Sequence, residues 1–429
     1  MKILIVGHAC CPGRGSEPGI TWNTAWHLAE QHQVWVITHP QTQRETDEYL
    51  ATNPRPNLHM VYINLPPKWD PWKVERGERG VKLHYMIWQH FALREARRLV
   101  ESEGIHVAHH ISFGTINAAP LLHKLPIPVV WGPLGGGEVM PWAFRKYFRG
   151  QLRKEIFRRA WSMALPFVPS IRRMSKRAGM CLVSNNESAR ILRRAGARNI
   201  ELAIDSGLPD GYARDVTPDR PEPDELQLLW AGRCEHRKAL PLALEALKET
   251  RAPARLTVAG DGPLKSEWEA YARELGVADR VQFLGSVPWV TMSKLFRESH
   301  AFVFTSLRDR FGTVVLEAMG HALPILTLDH NGVACFVPDD AGIKVPVTVP
   351  EQTVAELAAG IERLAASRAQ RQSMGAAALA YARTRTWRIR TQELIQTYEN
   401  ITRVADLTTS FRAQRGILPD GSDPSLRSG

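Results

Sequence analysis

Two cations in the second half of the chain stand where phosphate chemistry could be done. Gly232-Arg233 follows an apolar run, and Lys238 lies five residues beyond Arg233, ahead of a helical pattern. On a strand-to-helix loop both side chains would flank a helix amino terminus. Unpaired N–H groups and the helix dipole there favour an anion such as a diphosphate. On their own these residues describe an ordinary solvated loop. Further along, Ser306-Leu307-Arg308-Asp309-Arg310-Phe311-Gly312-Thr313-Val314-Val315-Leu316-Glu317-Ala318-Met319-Gly320 places an acid, seven residues and a Glu at the opening of a helix. That spacing alone is a weak signal. It becomes a strong one together with Phe311-Gly312, the following Glu-Ala-Met, the Gly-Arg…Lys loop and the turn Ala259-Gly260-Asp261-Gly262-Pro263.

The first half carries glycine loops and histidines at strand ends. Pro12-Gly13-Arg14-Gly15-Ser16-Glu17-Pro18-Gly19 follows the apolar run Ile3–Val6, and its glycines let backbone approach an oxyanion. Taken alone it is more often a surface turn. Gly132-Pro133-Leu134-Gly135-Gly136-Gly137 follows another strand, and three glycines in succession are better explained by close approach of a ligand or backbone. His109 and His110 also end a strand, where alternation sends them to opposite faces. At most one of them faces a ligand cleft, and which one is left open. His106 does not converge with them on a strand and no Cys lies nearby, so a zinc site is not expected.

On these motifs the stretch from about Leu226 to Val345 resembles the donor half of a family-four retaining glycosyltransferase of the GT-B fold. The resemblance implies two Rossmann-like domains facing across a cleft that holds a nucleoside-diphosphate-sugar. It assigns the diphosphate to Arg233 and Lys238, the ribose hydroxyls to Glu317, and the transferred sugar's hydroxyls to Asp309. The family usually has Glu at the position of Asp309, and Gly at that of Ala322. Phe311, Gly312 and Thr313 would face sugar and phosphate with backbone N–H groups, and Gly260 and Gly262 would border the nucleotide. Gly13 and Gly15 resemble the family's loop under the donor phosphates. Gly135 and Gly136 belong to a Gly-Pro-x-Gly-Gly segment seen in one branch of these transferases. The family's cleft histidine would be His109 or His110. No cofactor is implied, and no Asp-x-Asp motif is present to hold a metal.

These residues need two alternating α/β units to position them. Ile3–Val6, a glycine loop, a helix from Thr21 to Glu30 and the strand Val34–Thr38 open a Rossmann-like unit. Apolar runs recur at Val61–Ile63, Val107–Ile111 and Val129–Trp131, with a helix at about 83–103. A second unit starts at Leu226–Trp230 and alternates helix and strand to Pro324–Leu328. The division expected is a first domain over 1–209, a linker over 210–225, a donor domain over 226–385, a helix over 386–404 and a flexible tail over 405–429. The linker carries three Pro and six acidic residues and reads as a solvated connection.

The 429 residues are too many for one core and enough for two. Lys and Arg number 55 against 44 Asp and Glu, a net charge of +11. Eleven basic residues against Glu155 fall between Arg145 and Arg177, a local net of +10 (11 − 1), so the remainder is near neutral. This segment, with Phe148, Leu152, Ile156 and Phe157 near helical spacing, reads either as an interfacial segment on anionic lipid or as a solvated face. The resemblance favours the first, because many such transferases use lipid-linked acceptors. Nucleic acid is not an expected partner; a nucleic-acid-binding protein using residues 145–177 is the alternative of a different class, and a GT-B nucleotide-sugar epimerase the alternative within enzymes. Five Cys form no C-x-x-C pair, and no stretch of about 18 residues is purely apolar. Both point to a cytoplasmic protein, at most peripheral on the inner face of the membrane. The expected function is transfer of a sugar from the nucleotide donor to a glycan, lipid-linked or small-molecule acceptor in polysaccharide or glycoconjugate biosynthesis.

Overall fold

The computed structural model describes residues 1–72, 77, 80–222 and 224–414. In the first domain β1 (Lys2–Gly7), α1 (Ser16–Leu28), β2 (Gln33–Thr38), α2 (Gln43–Thr52), β3 (Leu58–Tyr62), α3 (Val81–Glu103), β4 (Val107–Ser112) and β5 (Val129–Leu134) follow one another. Then come α4 (Leu152–Ala164), α5 (Pro169–Arg177), β6 (Met180–Val183), α6 (Asn186–Ala195) and β7 (Ile200–Leu202). The second domain holds β8 (Leu226–Ala231), α7 (Leu240–Glu249), β9 (Ala254–Ala259), α8 (Lys265–Glu274), β10 (Val281–Gly285) and α9 (Trp289–Glu298). It continues with β11 (Ala301–Phe304), α10 (Thr313–Gly320), β12 (Ile325–Leu328), α11 (Asn331–Phe336), β13 (Gly342–Val345), α12 (Pro350–Ala366), α13 (Arg368–Arg383) and α14 (Trp387–Gln414).

Both sheets are wholly parallel, ordered β3-β2-β1-β4-β5-β6-β7 and β10-β9-β8-β11-β12-β13. Strand order reverses between β1 and β4 in one sheet and between β8 and β11 in the other. Ligands of open α/β sheets bind outside the carboxyl ends of strands at such reversals. The loops after β1, β8 and β11 hold Gly13, Gly15, Arg233, Lys238, Asp309, Phe311 and Gly312.

Helices cover both faces of each sheet, so the central strands are mostly apolar. In β1, Leu4 and Val6 pack with Trp88 and Ala92 of α3, while Ile3 and Ile5 pack with Ala25 of α1 and Tyr398 of α14. Helix α14 therefore returns from the end of the chain to the first domain, where Trp387, Leu394, Tyr398 and Ile401 are buried. It runs past residue 404 to Gln414; of the segment expected as a flexible tail, residues 415–429 lie outside the described residues.

Several residues of the segment after Asp210 are held to the second domain, though most of those described are exposed. The guanidinium of Arg220 donates to the carbonyls of Phe296, His321 and Ala322, and Glu222 pairs with Arg371 at 2.8 Å. Residues after β5 cross in the other direction. Met140, Phe144 and Phe148 are buried in the second domain's core, and the Tyr147 hydroxyl donates to Glu245 at 2.8 Å. Phe148 thus belongs to an interdomain contact and to no amphipathic helix.

Candidate functional site

The loop after β8 and the loop before α10 meet around one carboxylate. Lys238 ends a short 3-10 turn and is 8% exposed; its ammonium lies 2.5 Å from Asp309 Oδ2 and 4.9 Å above the Phe304 ring. Arg237 donates to the same Asp309 oxygen at 3.2 Å, and Ser306 Oγ stands 3.4 Å away. Burial acts to raise the Asp309 pKa, but Lys238 and Arg237 outweigh it and hold the carboxyl below its ordinary range. Arg233 is 68% exposed and pairs with Glu235 at 2.6 Å; Glu235 also pairs with Arg237 at 3.1 Å. The cluster therefore holds three cations and two carboxylates. Arg237 was missed in the sequence; its place one residue before Lys238 was the signal available.

Helix α10 opens at Thr313, with Gly312 as its cap at φ 94°, a left-handed conformation that favours glycine. A Cβ on Gly312 would also meet the Phe304 ring at 3.0 Å. Phe311 is fully buried against Phe336, and Thr313 is exposed at the helix start, whose first N–H groups have no partner within the helix. Glu317 sits half-buried on α10 with no hydrogen bond or ion pair among the described residues, and burial raises its pKa. Gly260 and Gly262 pack the loop after β9 against the loop after β8. A Cβ on Gly260 would lie 1.9 Å from the Gly232 carbonyl oxygen, and one on Gly262 2.7 Å from that of Cys234.

On the first-domain side, Gly13 and Gly15 lie exposed at the amino end of α1, and a Cβ at either would meet nothing within 4 Å. Gly135 and Gly136 make room for side chains. A Cβ on Gly135 would meet Arg310 Cγ at 2.2 Å, and one on Gly136 would meet Thr115 Oγ1 at 2.5 Å. Arg310 reaches across the cleft from the second domain. It donates to the Gly114 carbonyl at 3.1 Å and lies 3.5 Å from both Glu17 and Asp205. Burial acts against its charge, but Asp205, Glu17 and Glu138 raise its pKa. Beside it Arg308 pairs with the buried Glu155 of α4 at 3.2 Å. These cross-cleft pairs join residues far apart in sequence, and neither spacing nor composition marked them.

Neither histidine of the pair faces the cleft, which corrects the expectation that one of them could. His109 is fully buried, its Nδ1 bonded to the Tyr398 hydroxyl at 2.6 Å and its Nε2 to the Gly132 carbonyl at 2.7 Å. His110 points to the opposite face and bonds through Nε2 to the Tyr85 hydroxyl at 2.7 Å. Strand alternation holds, but α14 covers one face and α3 the other. Burial lowers the pKa of His109 to about 4 and of His110 to about 3. The cleft surface there is formed by Ile111, Ser112 and Gly114, with Glu17, Asp205 and Arg310.

Residues 216–380 match the family of glycosyl transferases group 1. That match spans the Arg233–Lys238 loop, Asp309 and Glu317. A glycosyltransferase of Methanocaldococcus jannaschii, MJ1607, is 30% identical over 144 residues, which cover 33% of this chain and 36% of that one. The D-inositol 3-phosphate glycosyltransferase of Segniliparus rotundus is 28% identical over 203 residues, 46% of this chain and 44% of that one. Both relatives are therefore matched over less than half of their own length. Among solved structures, the lipopolysaccharide outer core galactosyltransferase WaaB in its apo form superposes with a TM-score of 0.63 at 14% identity, covering 93% of this chain and 99% of that one. The fold is GT-B.

Among the described residues no helix is long and apolar enough to cross a membrane, and no group of three or more His, Cys, Asp or Glu could hold a metal ion. The five cysteines are free.

Proposed function

We propose that the protein is a retaining, family-four glycosyltransferase that moves a sugar from a nucleoside-diphosphate-sugar to a hydroxyl of a glycan, lipid-linked or small-molecule acceptor. The observation that carries this reading is the buried Lys238–Asp309 pair, with Arg237 and Arg233 behind it, at the strand-order reversal of the second sheet. With three cations against two carboxylates the cluster has positive charge to spare. An incoming diphosphate draws Lys238 away from Asp309, and the freed carboxylate oxygen accepts from hydroxyls of the sugar. Glu317, without a partner in this structure, accepts from the ribose hydroxyls. The bond from the anomeric carbon to the β-phosphate oxygen breaks, and a bond to the acceptor oxygen forms on the same face of the sugar. The acceptor proton passes to the departing phosphate oxygen. Arg233 and Lys238 stabilise the charge that builds there. This scheme asks for no metal and no protein base. Arg310 must leave Glu17 and Asp205 for the cleft to admit the donor. No observation favours the epimerase reading.

A thermal-shift screen against nucleoside diphosphates and their sugars tests the donor. A ligand at 100 times its dissociation constant should add about 2.7 kcal/mol of stability. The anomeric configuration of the product, read by NMR, tests retention. Absence of stabilisation by any nucleoside diphosphate overturns the reading.

The proposed acceptor side lies against an anionic membrane on its cytoplasmic face, and α4 supports this. The only buried residue of α4 is Glu155, held by Arg308 and near Arg158. Its apolar residues point outward instead: Phe157 is 69% exposed, Met163 65% and Ile156 49%, and Phe167 just beyond it 72%. Arg153, Lys154 and Arg159 are exposed among them. A helix turned apolar-side out between cations fits a lipid interface, where each Lys or Arg adds about 1 kcal/mol. Replacing Arg153, Lys154 and Arg159 with Gln should release the protein from anionic vesicles in flotation at physiological salt while nucleoside diphosphate binding persists. Wild type that fails to float even at low salt refutes the membrane contact, and salt-sensitive binding of DNA or RNA by the segment favours the nucleic-acid alternative.

A further inference from the structure

The chain crosses between its two domains twice, and the crossings lie side by side. The backbone N–H of Leu208 donates to the Arg385 carbonyl at 2.9 Å, and that of Trp387 donates back to Leu208 at 2.9 Å. Beside them lies a cavity of about 160 Å³ that the transfer scheme does not use. Its walls come from both domains. Glu201 and Ile204 belong to the end of the first, Phe336 to α11 of the second, and Arg390, Glu393 and Leu394 to α14. Arg385, at the second crossing, completes its polar side. The cavity shares no residue with the cleft surface around Ile111, Ser112 and Arg310.

Arg390 is the member of this wall that lacks a partner. It is 6% exposed, its Nη1 is fully buried, and among the described residues its guanidinium closes no hydrogen bond or ion pair. It lies 5.4 Å from the centre of the Trp387 ring. The carboxylates near it are engaged elsewhere: Asp205 lies 3.5 Å from Arg310, and Glu393 pairs with Arg385 at 3.2 Å. Burial lowers the pKa of Arg390 to about 10, with Asp205 and Glu393 acting the other way, so it stays a cation at pH 7. A buried charged donor without a partner is costly. A guanidinium has N–H donors and no acceptor, so only an accepting group can satisfy it. The rest of the wall limits the charge of that group. Glu201 and Glu393 line the same space, and burial together with Glu393 raises the Glu201 pKa, so a second negative charge is disfavoured there. Ile204, Phe336 and Leu394 offer apolar surface to the remainder of a ligand.

We propose that this cavity is a binding site for a small organic monocarboxylate, whose carboxylate pairs with the Arg390 guanidinium and whose apolar body lies against Ile204, Phe336 and Leu394. The planar fork of a guanidinium matches a carboxylate with two parallel hydrogen bonds. A phosphate monoester carries more than one negative charge at pH 7 and meets Glu201 and Glu393 less favourably. A cavity of about 150 Å³ holds benzene, which sets the size of the body this one takes. The ligand sits between the two crossings, and its surroundings reach the donor side by two contacts. Phe336 meets Phe311 edge-on at 5.6 Å, next to Gly312, and Asp205, whose charge acts on Arg390, is also the partner of Arg310. Neither contact needs a nucleotide in the cleft, so the site stands apart from the transfer reading.

The test is isothermal titration calorimetry of the full chain at pH 7 with butyrate, isovalerate and benzoate. Butyramide and benzamide serve as uncharged counterparts, and phenyl phosphate and inorganic phosphate as the other oxyanions. At least one carboxylate should bind with a dissociation constant below about 1 mM, its amide about tenfold or more weakly, and the phosphates no better than the carboxylate. Arg390→Met keeps the stem beside Trp387 and removes the charge, so it should weaken that carboxylate by about tenfold or more. Without ligand the same variant should melt no lower than wild type, because the charge it removes is buried and unpaired. Ala203→Leu, elsewhere on the wall, fills the space and leaves Arg390 in place, and it should also block the carboxylate. If no carboxylate binds below about 1 mM, or an amide binds as well, the cavity holds water and no carboxylate. If a phosphate binds more tightly, it is a site for phosphate. If Arg390→Met melts well below wild type, or still binds the carboxylate, Arg390 serves the packing of α14 alone. Each of these results overturns the proposal.

Discussion

Replacing Lys238 with Met should separate the chemistry of the cluster from its stability. The side chain is 8% exposed, 2.5 Å from Asp309 and 4.9 Å above Phe304, so Met keeps the stem and the ring contact and removes only the charge. Taking one partner from a buried ion pair typically costs about 3–5 kcal/mol, because the other charge is left unpaired. Here Asp309 keeps Arg237 at 3.2 Å and Ser306 at 3.4 Å, so the loss should be smaller, about 2 kcal/mol. Its pH dependence has a definite sign. The folded-state pKa of Asp309 is depressed, so the pair's contribution is complete above the ordinary Asp pKa and disappears as pH falls through the lower folded value. The difference in melting temperature between wild type and variant should therefore shrink on acidification. The rate should fall much further, by about 10²–10³, because the ammonium faces charge that grows as the phosphate leaves. Adding Asp309→Asn to Lys238→Met should recover part of the stability and none of the rate, a non-additivity expected of residues in contact. Release of nucleoside diphosphate, assayed at saturating donor, gives the rate, and thermal melting from pH 3 to 7 gives the stability. A variant that turns over within threefold of wild type would falsify the placement of the leaving group beside Lys238.

Other perturbations bear on the neighbouring parts. Asp309→Glu should keep measurable turnover, since the longer carboxylate still pairs with Lys238, whereas Asp309→Asn should lose about tenfold or more because an amide holds sugar hydroxyls less well; equal rates for Asn and wild type would separate Asp309 from the sugar. Gly135→Ala places a methyl about where Arg310 Cγ now lies, so Arg310 should give up its bond to Gly114, worth about 1.5–3 kcal/mol. Faster amide exchange around residues 112–117 and 306–312 is the expected sign of a loosened cleft, and unchanged exchange argues against Arg310 as the closing contact. Tyr398→Phe removes the hydroxyl bonded to His109 and should cost about 1 kcal/mol in melting with turnover intact; a large fall in turnover would return His109 to the reaction.

What could be read from the sequence followed the range over which each interaction is encoded. The strands β1, β8 and β9 are largely apolar and each is closed by glycine, and that local signature was enough to mark two α/β units, though not the order of their strands. Strand β7 is three residues long with Glu201 at its middle, and β6 directly follows a basic stretch, so neither carries a pattern that stands out. Lys238, Asp309 and Glu317 were singled out because their loops carry recognisable spacings, and the fold brings the first two to 2.5 Å. The histidines were misjudged for a reason that no local pattern holds. Whether His109 meets the cleft depends on Tyr398, 289 positions away on a helix that crosses back to the first domain. Arg310 was passed over for the same reason. It lies between motif residues that the sequence marks, and its contacts are with Glu17, Gly114 and Asp205 on the other domain. Motif spacing thus locates groups that share a loop, while the contacts that close the cleft or bury a side chain are set by how two domains meet. In this chain the Lys238–Asp309 cluster is of the first kind, and the Arg310 contacts with Glu17, Gly114 and Asp205 are of the second.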